Sequence, residues 1–281
     1  MKKNLLYVAV LATSLSVNAQ GLKTPAPSPS QTLKQSFALS DVTIEYSRPG
    51  VKGRTIYGDI VPFGKVWRTG ANASTKITFG EDVTVEGMPV KAGTYALYSI
   101  PGADSWELML YKDLTLGGNV GDYKAADELL RFKVKPTTLA QAVETFTINM
   151  TDITAKTAQV ELCWDKTRVA FKLAVDIDPI IMKNIEKNVI NDSRPYFAAA
   201  SYYYENDKDQ NLALQWADKA FQANPKAYWI AHLKAKIQHK LKDNKGAMTS
   251  AEQSMAIAKA DGDDNYVRLN EKLIAQIKSG K

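Results

Sequence analysis

The chain has 281 residues, 36 Lys plus Arg against 30 Asp plus Glu, two His and a single Cys. A formal charge of +6 is too mild for a nucleic-acid binder, one Cys rules out an intramolecular disulfide, and two His leave little material for histidine-based metal or acid–base chemistry. The length is enough for two cores.

Residues 1–19 read as a secretory signal peptide. Lys2 and Lys3 precede an apolar stretch from Leu5 to Leu15, and Val17-Asn18-Ala19 supplies a small-residue cleavage site. The apolar run is too short to span a bilayer, so cleavage after Ala19 and a periplasmic or secreted destination are expected, with no membrane span afterwards. Losing Lys2 and Lys3 leaves 34 basic and 30 acidic groups, near +4. Residues 20–36, with Pro25, Pro27 and Pro29 among small polar residues, read as an extended linker.

From Phe37 to Asp178 the apolar pattern has period two, and 16 basic against 18 acidic groups make the segment nearly neutral. Thr75 to Phe79, Val83 to Val85, Tyr95 to Ile100, Trp106 to Tyr111, Phe146 to Met150, Gln159 to Trp164 and Val169 to Val175 are expected strands, with bends at Glu86-Gly87, Pro101-Gly102 and Asp165-Lys166. Tyr123 to Leu130 and Leu139 to Val143 are expected helices. Short strands joined by turns predict an antiparallel β-sandwich or open barrel.

Beyond Pro179 the spacing turns helical and the charge basic, 16 against 12. Ala213 and Ala247, Ala217 and Ala251, Asp209 and Asp243, and Ser201 and Ala235 are each 34 residues apart. That is the tetratricopeptide period, giving two repeats at 194–227 and 228–261 with flanking helices Ile180 to Asn191 and Asn265 to Ile277. The second repeat is the more decayed, with Ser254 for an alanine and Lys259 for the closing proline. The fold class is therefore α+β and multidomain: the β-domain, then a helical hairpin array in 179–281 that packs internally or receives a protein partner.

The segment from Ser47 to Phe79 stands apart. Arg48, Lys52, Arg54, Lys65 and Arg68 are five cations in 21 residues, offset only by Asp59 and spaced by Gly50, Gly53, Gly58 and Gly64. Gathered at one rim they form a site for an anion, guanidinium being suited to bidentate contact; paired instead with acids such as Glu45 and Asp59 they brace loops. Trp67 beside Arg68, with Asn72 close by, adds the aromatic and amide groups used in glycan or peptide contacts, although Trp67 also fits a core position after Ile60 to Phe63. The candidate ligand-binding residues are thus Arg48, Lys52, Arg54, Trp67, Arg68 and Asn72, for an anionic or glycan ligand.

No catalytic residue, metal site or cofactor is assigned. Cys163 lies in the apolar stretch Val160 to Trp164 with no His in its domain, the position of a small buried hydrophobe. Asp261-Gly262-Asp263-Asp264 lacks the later Glu of a calcium loop and reads as a helix-capping turn. No phosphate-cradling glycine loop or nucleophile elbow is present.

Ser47-Arg48-Pro49, Lys52-Gly53-Arg54, Trp67-Arg68-Thr69-Gly70-Ala71-Asn72, Ala92-Gly93-Thr94-Tyr95, Ile100-Pro101-Gly102 and Trp106 resemble a bacterial family of proteins of unknown function, DUF2911, across residues 35–175. The resemblance implies an exported Gram-negative protein whose relatives in some cases carry a repeat-like helical tail. It brings no catalytic residue. Two functions stay open: a non-enzymatic exported binding protein, favoured by the missing His, or a cell-envelope hydrolase using Asp or Glu beside the arginine-rich loop.

Overall fold

The computed structural model describes residues 24–190 and 195–280, so the expected signal peptide lies outside the described residues. The chain forms two compact units that divide at Asp176.

The first unit holds two antiparallel sheets. One runs in the order β1-β2-β3-β6-β7-β8 and the other β5-β4-β10-β9, with β1 at Ser30–Phe37, β2 at Ser40–Ser47, β3 at Thr75–Phe79, β4 at Val83–Val85, β5 at Met88–Val90, β6 at Gly93–Ile100, β7 at Trp106–Tyr111, β8 at Glu128–Val134, β9 at Thr137–Thr151 and β10 at Thr157–Ala174. Strict alternation buries Val42, Ile44 and Tyr46 on β2 and Ile77 and Phe79 on β3. These inner faces meet the other sheet: Tyr46 packs edge-on against Phe146 and Phe132 against Phe171, at ring separations of 5.8 and 5.3 Å. Tyr46 also donates its hydroxyl to the Ile148 carbonyl across the core at 3.2 Å. Neither sheet closes on itself, as the expected antiparallel sandwich or open barrel requires.

Several local expectations are corrected. Gln159 to Trp164 and Val169 to Val175 are not two strands around a turn at Asp165-Lys166; they belong to one strand, β10. Buried residues fall on even positions from Ala158 to Trp164 and on odd positions from Val169 to Leu173. The register against β9 shifts on both sides of Asp165, which sits at φ 49°: between the pairs Cys163↔Thr147 and Thr167↔Thr138 the strands fall out of step, and this irregularity keeps both halves of β10 facing the core. Leu139 to Val143 is not a helix but the front part of β9. Tyr123 to Leu130 is not one either: two short 3-10 turns without side-chain caps, Val120–Asp122 and Ala125–Asp127, lead directly into β8, where Phe132 pairs with Leu108. Residues 30–36, expected as linker, form most of β1, whose backbone pairs with β2 from Ser30↔Ser47 to Phe37↔Ser40.

The outer face of the larger sheet is covered as well. Leu114, Leu116, Val120 and Tyr123, from the connection after β7, pack over Tyr98, Met109 and Tyr111. Tyr111 and Tyr123 stack at 4.8 Å.

The second unit is helical: α1 Asp178–Ile185, continued by a turn of π-helix, then α2 Tyr196–Glu205, α3 Gln210–Ala223, α4 Tyr228–Lys240, α5 Asn244–Asp261 and α6 Asp264–Ser279. From α2 onward each helix packs on the next. The 34-residue phase has a physical counterpart. Asp209 caps α3 by accepting from the Asn211 and Leu212 amides, and Asp243 caps α5 by accepting from the Gly246 amide. Ala213, Ala217, Ala247 and Ala251 are fully buried where helices approach. Gly262 closes α5 in the left-handed conformation and Asp263 caps α6 through the Tyr266 amide.

Candidate functional site

The 48–74 segment joins β2 to β3 and has two limbs. Its first limb pairs with β9, the Val51 amide donating to the Glu144 carbonyl at 2.8 Å and the Phe146 amide to Pro49 at 2.9 Å. Its second limb pairs with the end of β6, where Trp67 and Ser99 exchange both backbone bonds at 2.7 and 2.9 Å. β9 and β6 lie in different sheets, so the segment bridges the sandwich.

Between the limbs lies a cleft of about 320 Å³. Arg54 and Pro49 come from the first limb, Ile60 and Val61 from the turn, and Trp67, Arg68, Gly70, Ala71 and Asn72 from the second. Trp164 of β10 and Ser28 complete the lining. Trp67 stacks on Trp164 at 5.9 Å and takes edge contacts from Tyr57, Trp106 and Phe146. It is half-buried, so it serves the core and also faces the cleft. Its indole N–H is committed to the Gly70 carbonyl at 3.0 Å.

The sequence candidates divide into three groups. Arg48 is a brace, with Nε donating to the Phe146 carbonyl at 3.0 Å and Nη2 to Thr147 Oγ1 at 2.7 Å. Lys52 and Asn72 hold the N-terminal segment. Lys52 Nζ donates to the Pro27 carbonyl at 3.3 Å, and Asn72 Nδ2 to the Ser28 carbonyl at 3.3 Å and Ser47 Oγ at 3.2 Å. Arg54 and Arg68 line the cleft. Arg54 donates to the Val51 and Gly50 carbonyls at 3.1 and 2.7 Å, and Arg68 to the Asn72 carbonyl at 2.7 Å.

Bracing therefore uses backbone carbonyls and the Thr147 and Ser47 hydroxyls, not the expected carboxylates Glu45 and Asp59. The backbone supplies the reason. Lys52, Gly53, Thr69 and Asn72 all have φ between 50° and 68°, folding each limb back so that its carbonyls converge on its own arginine. Thr69 is β-branched, fully buried and at φ 54°, a costly conformation held by its hydroxyl against Ser99 Oγ at 2.9 Å and by Thr75 Oγ1 donating to its carbonyl at 2.5 Å. Gly70, at φ 153°, leaves only 3.1 Å between a built Cβ and the Ser47 carbonyl. Gly118 of the β7–β8 connection presses on the same place: a Cβ there would lie 2.2 Å from the Asn72 carbonyl and 2.5 Å from Arg68 Nη1.

A carbonyl orients a guanidinium without neutralising it. Among the described residues neither Arg54 nor Arg68 has a carboxylate within ion-pair distance, whereas Arg131 and Arg168 elsewhere in the unit do. The cleft lining also contains no Asp, Glu, His or Cys. Burial raises the Tyr57 hydroxyl pKa well above its ordinary value, with Cys163 and Asp165 adding to the shift, so Tyr57 is a neutral part of the aromatic cluster. The Cys163 thiol is likewise raised, first by burial and then by Glu161, which suppresses the thiolate. A second cleft, about 350 Å³, lies along β4 and β10 and contains Glu86, Asp152, Gln159 and Lys172. Its carboxylates are occupied, Glu86 by the Lys172 amide at 2.6 Å and Asp152 by Gln159 Nε2 at 2.7 Å. No group of three or more His, Cys, Asp or Glu placed to hold a metal ion occurs among the described residues, and no described helix is long and apolar enough to cross a membrane.

Of the cleft residues, Ser28, Pro49, Ile60, Val61, Gly70, Ala71 and Trp164 were not among the sequence candidates. Trp164 was legible only as a buried strand residue, and nothing local links it to Trp67. No curated protein and no solved structure matches the chain. The profile of the family described as "Protein of unknown function (DUF2911)" matches residues 28–173, which include both limbs, β1 to β9 and β10 up to Leu173. The chain belongs to the DUF2911 family.

Proposed function

We propose that the chain is an exported binding protein whose β-unit takes an anionic ligand in the cleft between the two limbs, with Arg54 and Arg68 as the anion contacts and Trp67 as the apolar one. One observation carries the reading: two arginines that have no carboxylate within ion-pair distance among the described residues line one cleft with a half-buried indole. Guanidinium groups pre-oriented by carbonyls lose little freedom on binding, which favours affinity. Arg48 and Asn72 support the limbs.

The hydrolase reading requires a pair of carboxylates beside the arginines. The arginine cleft contains none, and Glu86 and Asp152 line a different cleft, so binding is the better supported function.

The helical unit is read as two tetratricopeptide-like hairpins, α2–α3 and α4–α5, flanked by α1 and α6. Support comes from the paired caps Asp209 and Asp243 and the buried alanines at the same phase. Its role is to receive a protein partner or to pack as a module. Export rests on the N-terminal pattern of Lys2, Lys3 and the Leu5 to Leu15 stretch.

Thermal-shift titration of the full chain tests the binding function. Polyvalent carboxylates should raise the melting temperature of the wild type at low salt and leave an Arg54→Ala, Arg68→Ala double variant unmoved. Equal shifts in both proteins would reject the cleft as the site. N-terminal sequencing of protein recovered from the cell envelope should begin at Gln20; an intact Met1 would reject export by this signal.

A further inference from the structure

Resting on the cleft as an anion-binding site, we infer that its ligand is an acidic saccharide: a sugar ring seated against Trp67, carrying a carboxylate that meets Arg54 and Arg68. Three features of the cleft lead there.

The first is the form of the positive charge. Both cations are guanidinium groups, planar forks whose donors match the two oxygens of a carboxylate. Arg54 spends Nε and Nη2 on carbonyls and Arg68 spends Nη1, leaving Arg54 Nη1 and Arg68 Nε and Nη2 with no other hydrogen bond among the described residues. The two donors rise from opposite limbs and line one cleft.

The second is the apolar lining. Trp67, Ile60 and Val61 share the cleft with the arginines. A bare inorganic anion would leave that surface wet, whereas the C–H face of a sugar ring covers the part of the half-buried indole that Trp164, Tyr57, Trp106 and Phe146 leave open. Since the Trp67 N–H is already given to Gly70, the indole offers a ligand only its ring. The third is polar but uncharged. The Asn72 carbonyl, in the cleft lining, already draws Arg68 Nη1, and an acceptor of this kind suits a hydroxyl group better than a second negative charge. With about 320 Å³ the cleft has the size of a small-molecule site, at the lower end of the usual ~300–1,000 Å³. Aromatic ring, paired guanidinium and neutral acceptor together describe a uronate-type unit.

Isothermal titration of the full chain at low salt against four probes separates this inference from the simpler anion site. The probes are trigalacturonate, its methyl ester, citrate and inorganic phosphate. Trigalacturonate should bind at least tenfold more tightly than each of the other three, because only it presents ring and carboxylate together. Arg54→Ala and Arg68→Ala should each weaken it by roughly tenfold to a hundredfold, the loss expected for charge-assisted hydrogen bonds. Thermal melts of both variants establish that they are folded. Citrate or phosphate binding as tightly as trigalacturonate and with the same arginine dependence overturns the saccharide while leaving the anion site intact. Ester binding equal to the acid overturns the carboxylate contact. Absence of binding by all four probes, or binding that both arginine variants retain, overturns the anion site and the saccharide together.

Discussion

Arg48 and Arg68 occur in one short basic segment, yet their contacts assign them opposite consequences. Arg48 Nε and Nη2 reach the Phe146 carbonyl and Thr147 Oγ1 on β9, tying the first limb to the second sheet. Phe146 is fully buried, so truncating Arg48 to Ala strips a donor from a carbonyl beside the core. Hydrogen bonds to a charged group contribute about 1.5–3 kcal/mol each. The two share one side chain and Thr147 can turn to water, so the pair is worth about 2–4 kcal/mol, not the full sum. In a unit of this size that lowers the melting temperature by roughly 4–16 °C. Arg48→Lys keeps the charge but replaces the two nitrogens of the fork with one, so it should recover only part of the loss. Arg68→Ala removes one bond at a half-exposed side chain and should cost about 1 kcal/mol or less. Urea melts of the three variants measure these differences. An Arg48→Ala protein within about 0.5 kcal/mol of wild type would refute the brace, since that is the ordinary range for surface substitutions.

Further outcomes follow from other parts of the chain. Gly118→Ala places a methyl against the Asn72 carbonyl and Arg68 Nη1, so it should lower the melting temperature and weaken cleft binding together; wild-type affinity in that variant would separate Arg68 from the site. His232 is held neutral chiefly by burial and, to a lesser degree, by Lys236, while Asn270 Oδ1 at 2.8 Å partly offsets this. Its folded pKa lies below the unfolded value of about 6.5, so its contribution to stability is complete above that pH and is lost as pH falls toward the folded value. Urea midpoints measured at about pH 7.5 and pH 5 should therefore differ less in His232→Gln than in wild type, and an unchanged difference would remove His232 as a source. Residues 24–175 and 176–280 expressed separately should each melt cooperatively, because each unit contains its own buried cluster; a non-cooperative β-unit would contradict that division.

Legibility in the sequence tracked how local each constraint was. β3, β4, β6 and β7 were readable because alternation and turn residues are local, and the helical unit because Asp209 and Asp243 recur at the period of the alanines they precede. β1 was hidden because SQTLKQSF has only Leu33 and Phe37 as large apolar residues; as an edge strand it is held mainly by backbone pairing to β2. Only the start of β8, Glu128 to Leu130, fell inside the helix expected over Tyr123 to Leu130, and the strand it pairs with, β7, is separated from it by the connection that covers the sheet. The parity change within β10 could not be told from a turn without its partner strand. In the candidate site the residue types were visible and their partners were not. Carbonyl bracing depends on positive φ at Lys52, Thr69 and Asn72, none of them glycine.

The cleft as a ligand site is tested most directly by a crystal structure of the full chain grown with trigalacturonate. The account predicts the sugar between the limbs, its carboxylate within hydrogen-bond distance of Arg54 and Arg68 and a ring against Trp67, with the limb carbonyls unmoved. A saccharide bound elsewhere, or a cleft holding only water beside arginines that have turned to protein carboxylates, would contradict it.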